Sequence, residues 1–444
     1  MKINDRVTVD IESLAYGGEG VGRVDKKVIF VPLSAPGDRI EAMIYESKKN
    51  YLRGRIEQFK TLSQTRTVPL CDYFGECGGC QWQHLKYDYQ LETKEQIVKN
   101  SLERIAKICD YQLLPIIPSP KIFGYRCRAR IQCLAQRRHV LGFYKADSKE
   151  IVPIEKCELL PPFLNQILRK ITEFLNSSEH IISFSEIEVM GNVDKEESVI
   201  SLSADSLSKD HIPNFLKSLK HSIPNIYGVA IQTGHELEIQ TECFGNCALE
   251  FSEKIFPQGS EGPISFAMRS HIHTFNQVNL EQNNNMVKTI YDWIDPSRND
   301  TVVDLFCGMG NLSIPLASSV KRVIGIENNP HAIDDACYNS HGHHAFNCEF
   351  IHNDALMGLR QLHTDGIGVD VLLIDPPRKG CKTLIPEIAE CKPSRIIYVS
   401  CNPTTMARDV GLLYYSNYRL SRVQPIDMFP HTYHVETIAE LVPT

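Results

Sequence analysis

Between Thr301 and Cys401 the chain repeats one pattern. Short apolar runs at Thr301–Leu305 (TVVDL), Arg322–Ile326 (RVIGI), Glu349–Ile351, Val369–Ile374 (VDVLLI) and Arg395–Val399 (RIIYV) recur at helix-length intervals. Runs this apolar offer water no face, so they are expected as strands buried on both sides, joined by helical crossovers. That combination leaves little choice beyond an open, doubly wound, Rossmann-like α/β sheet. In such sheets ligands bind, and reacting side chains collect, at the C-terminal ends of the strands.

Five features stand at those ends. The first strand runs into FCGMGNL, whose Gly308 and Gly310 let the backbone approach a ligand at a helix N-terminus. Position 313 is Ser rather than the third glycine of a dinucleotide fingerprint, which disfavours a nicotinamide cofactor. Glu327 follows the second strand, about 20 residues on, where an acid can take ribose hydroxyls. Asp354 follows the third strand and Asp375 the fourth, in LLIDPPR. Each acid could equally cap a helix. Together they point to an adenosyl ligand. Cys401, in YVSCNPTT, ends the fifth strand, and the Asn-Pro after it stops the strand. Most cysteines are small buried hydrophobes; this one is set apart by the acids around it.

A chain of 444 residues exceeds one hydrophobic core. Three domains are expected, at residues 1–60, 61–262 and 263–444. No apolar run reaches membrane-span length and MKINDRVTVD has no signal-peptide core, so a cytoplasmic location is expected. Fifteen cysteines without an export signal argue for reduced thiols, metal binding or catalysis rather than disulfides. The net charge of -7 confines any nucleic-acid binding to local patches.

In residues 1–60, Val7, Val9 and Ile11 alternate with polar residues before a glycine-rich turn and further short strands. This predicts a closed, OB-like barrel. Its tail carries Lys48, Lys49, Arg53 and Arg55. Beyond it, Cys71, Cys77 and Cys80 lie within ten residues, among glycines, and Cys157 stands far downstream. Zinc sites usually show two close pairs of ligands. Three local thiolates and a distant fourth lean instead to a [4Fe-4S] cluster, with zinc the rival.

Residues 121–145 hold seven Lys or Arg and no acid. Strict alternation puts Tyr125, Cys127, Ala129, Ile131 and Cys133 on one strand face and Arg126, Arg128, Arg130 and Gln132 on the other. A row of guanidiniums repels itself unless an anion lies across it, and RNA phosphate is the expected anion; a solvated edge strand is the alternative.

YGGEGVGR and VIFVPLSAPGD resemble the TRAM domain of RNA-modifying enzymes. FNQVN, DLFCGMGNLSIPLA, GIENNPHAIDDA, DPPRKG, VSCNPTT and DMFPHTYHVE resemble the RNA uracil-C5-methyltransferase family, and the four cysteines favour its bacterial 23S ribosomal RNA branch acting on uridine 1939. The resemblance implies that Gln277, Phe306, Asn311, Glu327, Asp354 and Asp375 bind S-adenosylmethionine. It makes Cys401 the nucleophile and Glu436 the base, adds a [4Fe-4S] cluster on the cysteines, and sets a flipped uridine from single-stranded 23S ribosomal RNA as the target. No membrane and no obligatory protein partner is implied. Transfer-RNA members resemble the catalytic third but lack the cluster cysteines and the TRAM domain.

The chemistry of the residues agrees. Uracil C5 is a weak nucleophile, but thiolate addition at C6 delocalises charge to C5. The C5 proton must then leave before the thiolate can be expelled, which requires a base. Three rivals fit less well. An amino-methyltransferase would place an aromatic residue where Arg378 stands after Asp-Pro-Pro. A radical methylthiotransferase would space its first two cysteines by three residues, not five. A non-catalytic RNA-binding protein would need neither Cys401 nor Glu436.

Overall fold

The computed structural model describes residues 1–135, 138–177, 184–204, 212–234, 240–259 and 262–444. Arg137, in the basic stretch, lies outside the described residues, as do parts of 160–260.

The N-terminal strands Arg6–Leu14, Gly20–Val24, Lys27–Val31, Arg39–Ser47 and Tyr51–Thr61 close into a barrel. Their alternating residues Val9, Ile11, Ile29, Val31, Ile40, Ile44 and Leu52 fill its interior. At Gly22 the strands pass so closely that a Cβ would meet the Asp10 carbonyl at 2.6 Å. Arg66, in the following linker, is anchored to Asp38 of the barrel at 2.7 Å.

A seven-stranded central sheet runs in the order Gln240–Gly245, Ile226–Thr233, Glu197–Ala204, Glu186–Asn192, Arg128–Ala135, His139–Tyr144 and Ile151–Pro153. Helices Pro162–Ser177 and Ile212–Ser222 bury Ile167, Ile171, Phe174 and Phe215 against it. A two-stranded arm, Ala248–Ile255 with Ile264–His271, leads out of this sheet.

The third sheet has eight strands. Cys348–His352, Arg322–Glu327, Thr301–Leu305, Val371–Ile374 and Arg395–Ser400 are parallel, as the apolar runs imply. Glu436–Pro443 then pairs antiparallel with Arg395–Ser400, and Tyr418–Ile426 and the two-residue Gln112–Leu113 complete the edge. Asn402 not only ends a strand but starts a helix. Its Oδ1 accepts from the amides of Thr404 at 3.1 Å and Thr405 at 3.4 Å, with Pro403 in the first turn of Pro403–Tyr414. No helix among the described residues is long and apolar enough to cross a membrane.

One expected boundary does not follow the packing. Helix Tyr87–Ser101 and the π-helical turn Leu102–Ala106 lie inside the stretch 61–262 but pack on the third sheet, where Val98, Leu102 and Ala106 share a core with Val303, Tyr398 and Val410. The apolar face of that helix finds its complement more than 200 residues downstream, and nothing local in the sequence marks such a partner.

Candidate active site

Antiparallel pairing of Arg395–Ser400 with Glu436–Pro443 ends on the pair Ser400 and Thr437. Cys401 follows Ser400 as the bend that leaves its strand, Glu436 is the first residue of the other strand, and the two are close enough for the Glu436 charge to act on the Cys401 thiol. Glu436 is buried. Burial pushes its carboxyl well above the usual range, Asp375 pushes it further, and Arg378 opposes. Cys401 is half-buried. Burial and then the Glu436 charge push its thiol up to about 12, while the Arg378 guanidinium, within hydrogen-bonding reach of Sγ, pulls it down. Arg378 is held in turn, because its carbonyl accepts from Asn402 Nδ2 at 3.2 Å and Thr405 Oγ1 at 3.1 Å. A thiol, a carboxyl and one cation thus form a group that can move a proton.

The loop before Glu436 is braced from the far end of the chain. Lys94 and Asp427, both fully buried, pair at 2.5 Å, Tyr87 donates to Asp427 at 2.8 Å, and the His431 amide donates to Gln90 at 2.9 Å. The barrel closes the other side. Tyr16 meets Tyr433 edge-on with ring centroids 5.3 Å apart, and its phenol, raised mainly by burial, feels the charges of Cys401, Arg378 and Glu436. Lys94, Tyr16 and Arg378 were not singled out from the sequence as functional. Tyr16 opens YGGEGVGR and Arg378 lies in DPPRKG, but nothing local ties Lys94 or Tyr16 to position 401.

A second cavity opens beside the first strand of the third sheet. Gln277, Phe306, Gly308, Asn311, Asp304 and Asp375 line it. Phe306 takes a left-handed φ of 65°, which turns the chain sharply out of the strand, and its amide donates to the Ile326 carbonyl at 2.9 Å. Gly308, also left-handed at 55°, faces open space. Glu327 accepts from Gly308, Asn328 and Asn329 amides at 3.2, 2.8 and 2.8 Å, which fixes it next to the glycine turn. Asn311 exchanges amide hydrogen bonds with Asn283 at 2.9 Å. Burial pushes Asp375 and Asp304 each up to about 7. Asp304 Oδ1 is buried with no partner while its other oxygen accepts from Ser313 at 2.6 Å. An unpartnered buried acceptor facing a cavity calls for a ligand donor. Asp354 stands apart. It is exposed and caps helix Ala355–Thr364, accepting from the Leu356 amide at 2.9 Å, and it does not line the cavity.

Cys71, Cys77, Cys80 and Cys157 converge on a third cavity, with Phe74, Phe143 and Arg126 on its walls. Burial raises all four thiols, Cys80 to about 12.

The arginine row is where the structure departs from expectation. Its anions are inside the chain, because Glu186 and Glu188 on the neighbouring strand face it. Arg128 is almost wholly consumed. It pairs with Glu188 at 2.8 Å, donates to the Thr274 carbonyl at 2.6 Å and also reaches the Ile272 carbonyl. Arg126 and Arg130 line the cysteine cavity. Arg130 also pairs with Glu186 and Glu188 at 3.3 and 3.5 Å, yet stays 61% exposed. Alternation reports which face a residue takes, not what the adjacent strand presents to it.

Residues 86–442 match the family described as tRNA (Uracil-5-)-methyltransferase, and residues 2–56 match the TRAM domain. A 23S rRNA (uracil(1939)-C(5))-methyltransferase of Histophilus somni is 32% identical, covering 99% of this chain and 96% of that protein. An uncharacterized RNA methyltransferase of Thermosynechococcus vestitus is 33% identical over 98% and 97%. The crystal structure of Pyrococcus abyssi tRNA (uracil-54, C5)-methyltransferase in complex with S-adenosyl-L-homocysteine superposes with a TM-score of 0.73 at 25% identity, covering 98% of this chain and 99% of that one.

Proposed function

The chain belongs to the RNA (uracil-C5)-methyltransferase family, and from that membership we propose that it methylates C5 of a uridine in 23S ribosomal RNA, by resemblance uridine 1939, using S-adenosylmethionine. The observation that carries this reading is the convergence of Cys401 and Glu436 beside Arg378, at the adjoining ends of two paired strands.

Cys401 adds to C6 of a uridine turned out of its stack, and Arg378 favours the thiolate that this needs. S-adenosylmethionine supplies the electrophilic methyl group that the activated C5 accepts. Glu436, as carboxylate, then removes the C5 proton, and the electron pair returned to the ring expels Cys401. Burial suits Glu436 to this work, because a carboxylate kept from water is a stronger base.

Gln277, Phe306, Asn311, Glu327 and Asp375 would hold the cofactor around the Gly308 turn, with Asp354 at the exposed end of the same strand edge. The unpartnered Asp304 oxygen supports a bound donor there.

Cys71, Cys77, Cys80 and Cys157 would hold a [4Fe-4S] cluster. The four share one cavity, and three local ligands with a distant fourth fit a cluster better than the two close pairs usual for zinc. Arg126, whose buried Nε has no partner, supplies a cation beside an anionic cluster. RNA contact then falls to Arg130 and to the barrel's Lys48, Lys49, Arg53 and Arg55, and the role of Arg128 is to join sheets.

The Pyrococcus protein named for a transfer RNA uracil covers nearly this whole chain, so architecture does not separate the two RNA classes as the sequence reading expected. The ribosomal reading rests on the bacterial relatives. Mass mapping of RNA from a strain lacking this protein tests it. One 23S uridine should lose its methyl group, with restoration by the wild type and not by Cys401→Ala. Loss confined to transfer RNA would overturn the substrate assignment.

A further inference from the structure

A separate thiol and imidazole cluster lies where the central sheet meets the arm. Cys243 belongs to strand Gln240–Gly245, Cys247 follows the turn at Gly245 and Asn246, and His271 ends strand Ile264–His271. Cys243 Sγ stands 3.6 Å from His271 Nε2, and the ligand atoms of all three residues lie within 4.8 Å of one another. None of them lines the cavity beside Gly308 or the four-cysteine cavity described above.

Two ligands of a tetrahedral zinc, at ordinary Zn–S and Zn–N lengths, stand about 3.5 Å apart. The Cys243–His271 separation matches that span. Cys247 and His271 are buried while Cys243 is exposed, so the group has a closed floor and one side open to solvent. From this we infer that Cys243, Cys247 and His271 form a binding site for a borderline-soft divalent cation, zinc by preference, with water in the fourth position.

Capture releases the two thiol protons. His271 Nδ1 accepts from the His273 amide at 3.2 Å, which places the imidazole proton on Nε2 in the metal-free state. Metal binding moves that proton to Nδ1 and gives up this contact. One long neutral hydrogen bond is small beside three metal–ligand bonds.

The location gives the ion a structural task. Cys243 and Cys247 stand at the edge of the central sheet, whereas the chain after His271 continues into Gln277 at the cofactor cavity. His331, in the first turn of helix Pro330–Gly342, stacks on His271 with centroids 4.5 Å apart, four residues after Glu327. An ion here ties the central sheet to the cofactor-facing side of the third sheet.

The test uses full-length protein purified without oxygen, with iron and zinc quantified and cobalt(II) then titrated as a spectroscopic probe. Wild type and Cys109→Ser should bind one equivalent of cobalt with a thiolate charge-transfer band. Cys243→Ser and His271→Gln should lose that equivalent with no change in iron content. Cys243 is exposed, so its substitution should leave the melting temperature of the metal-free protein unchanged, which separates lost binding from lost folding. Equal cobalt uptake by wild type and Cys243→Ser overturns the site, as does an anaerobic Cys243–Cys247 disulfide in protein that binds no metal.

Discussion

Cys401 and Glu436 adjoin the last pair of an antiparallel ladder, Ser400 with Thr437, and the Glu436 charge acts on the Cys401 thiol. The ladder brings the two side chains to one place, and in the mechanism proposed above a uracil ring offers C6 to Cys401 and the C5 hydrogen to Glu436.

Separate roles predict separate failures. Cys401→Ala should abolish turnover and any covalent RNA complex, because no activated C5 forms. Glu436→Gln should still add and methylate but not release, so a methylated protein–RNA adduct accumulates. RNA carrying 5-fluorouridine should trap the wild type, since fluorine cannot leave as a proton does. A denaturing gel with labelled RNA distinguishes these cases; turnover by Cys401→Ala would refute the mechanism.

Arg378 should govern the pH profile. The Cys401 thiol is raised to about 12, so below that value the thiolate fraction, and the single-turnover rate, should rise with pH. Arg378→Met removes the charge that opposes the rise and should move this limb to higher pH. Each unit of movement costs about tenfold in thiolate at fixed pH. Rates across pH at saturating RNA and cofactor would show it, and an unmoved limb would remove Arg378 from this role.

Anaerobically prepared protein should be brown, and Cys157→Ser should lose most of its iron and its visible absorption. Stoichiometric zinc at Cys71, Cys77, Cys80 and Cys157, without iron, would refute the cluster.

Within the arginine row the effects should divide. Arg128→Met strands Glu188 and two backbone carbonyls, and should cost about 2–4 kcal/mol of stability in denaturant titrations. Arg130→Gln, at a largely exposed position, should leave stability nearly unchanged while weakening RNA binding and lowering its salt dependence. Identical behaviour of the two variants would contradict this division.

Tyr16→Ala should reduce kcat/KM on RNA several-fold, the scale of one aromatic contact of about 0.5–1.5 kcal/mol, and leave cofactor affinity unchanged. An unchanged kcat/KM would mean that the barrel does not serve the reaction centre through this residue.

The parallel sheet and the place of Cys401 at its ligand edge were legible from the sequence because strands buried on both faces leave continuous apolar runs, and whatever ends such a strand sits at that edge. The barrel was legible from alternation with glycine turns, and the four cysteines from their spacing. Other features required the folded chain. The pairing of Arg395–Ser400 with Glu436–Pro443 brings Cys401 near a residue 35 positions later through an antiparallel last strand, and register is a property of two strands rather than one. The Lys94–Asp427 pair, the arrival of Tyr16 beside Tyr433, and the neutralisation of Arg128 by Glu188 each depend on a surface contributed from elsewhere in the chain. Local pattern fixes which face a side chain takes; its partner is decided only when distant faces pack together.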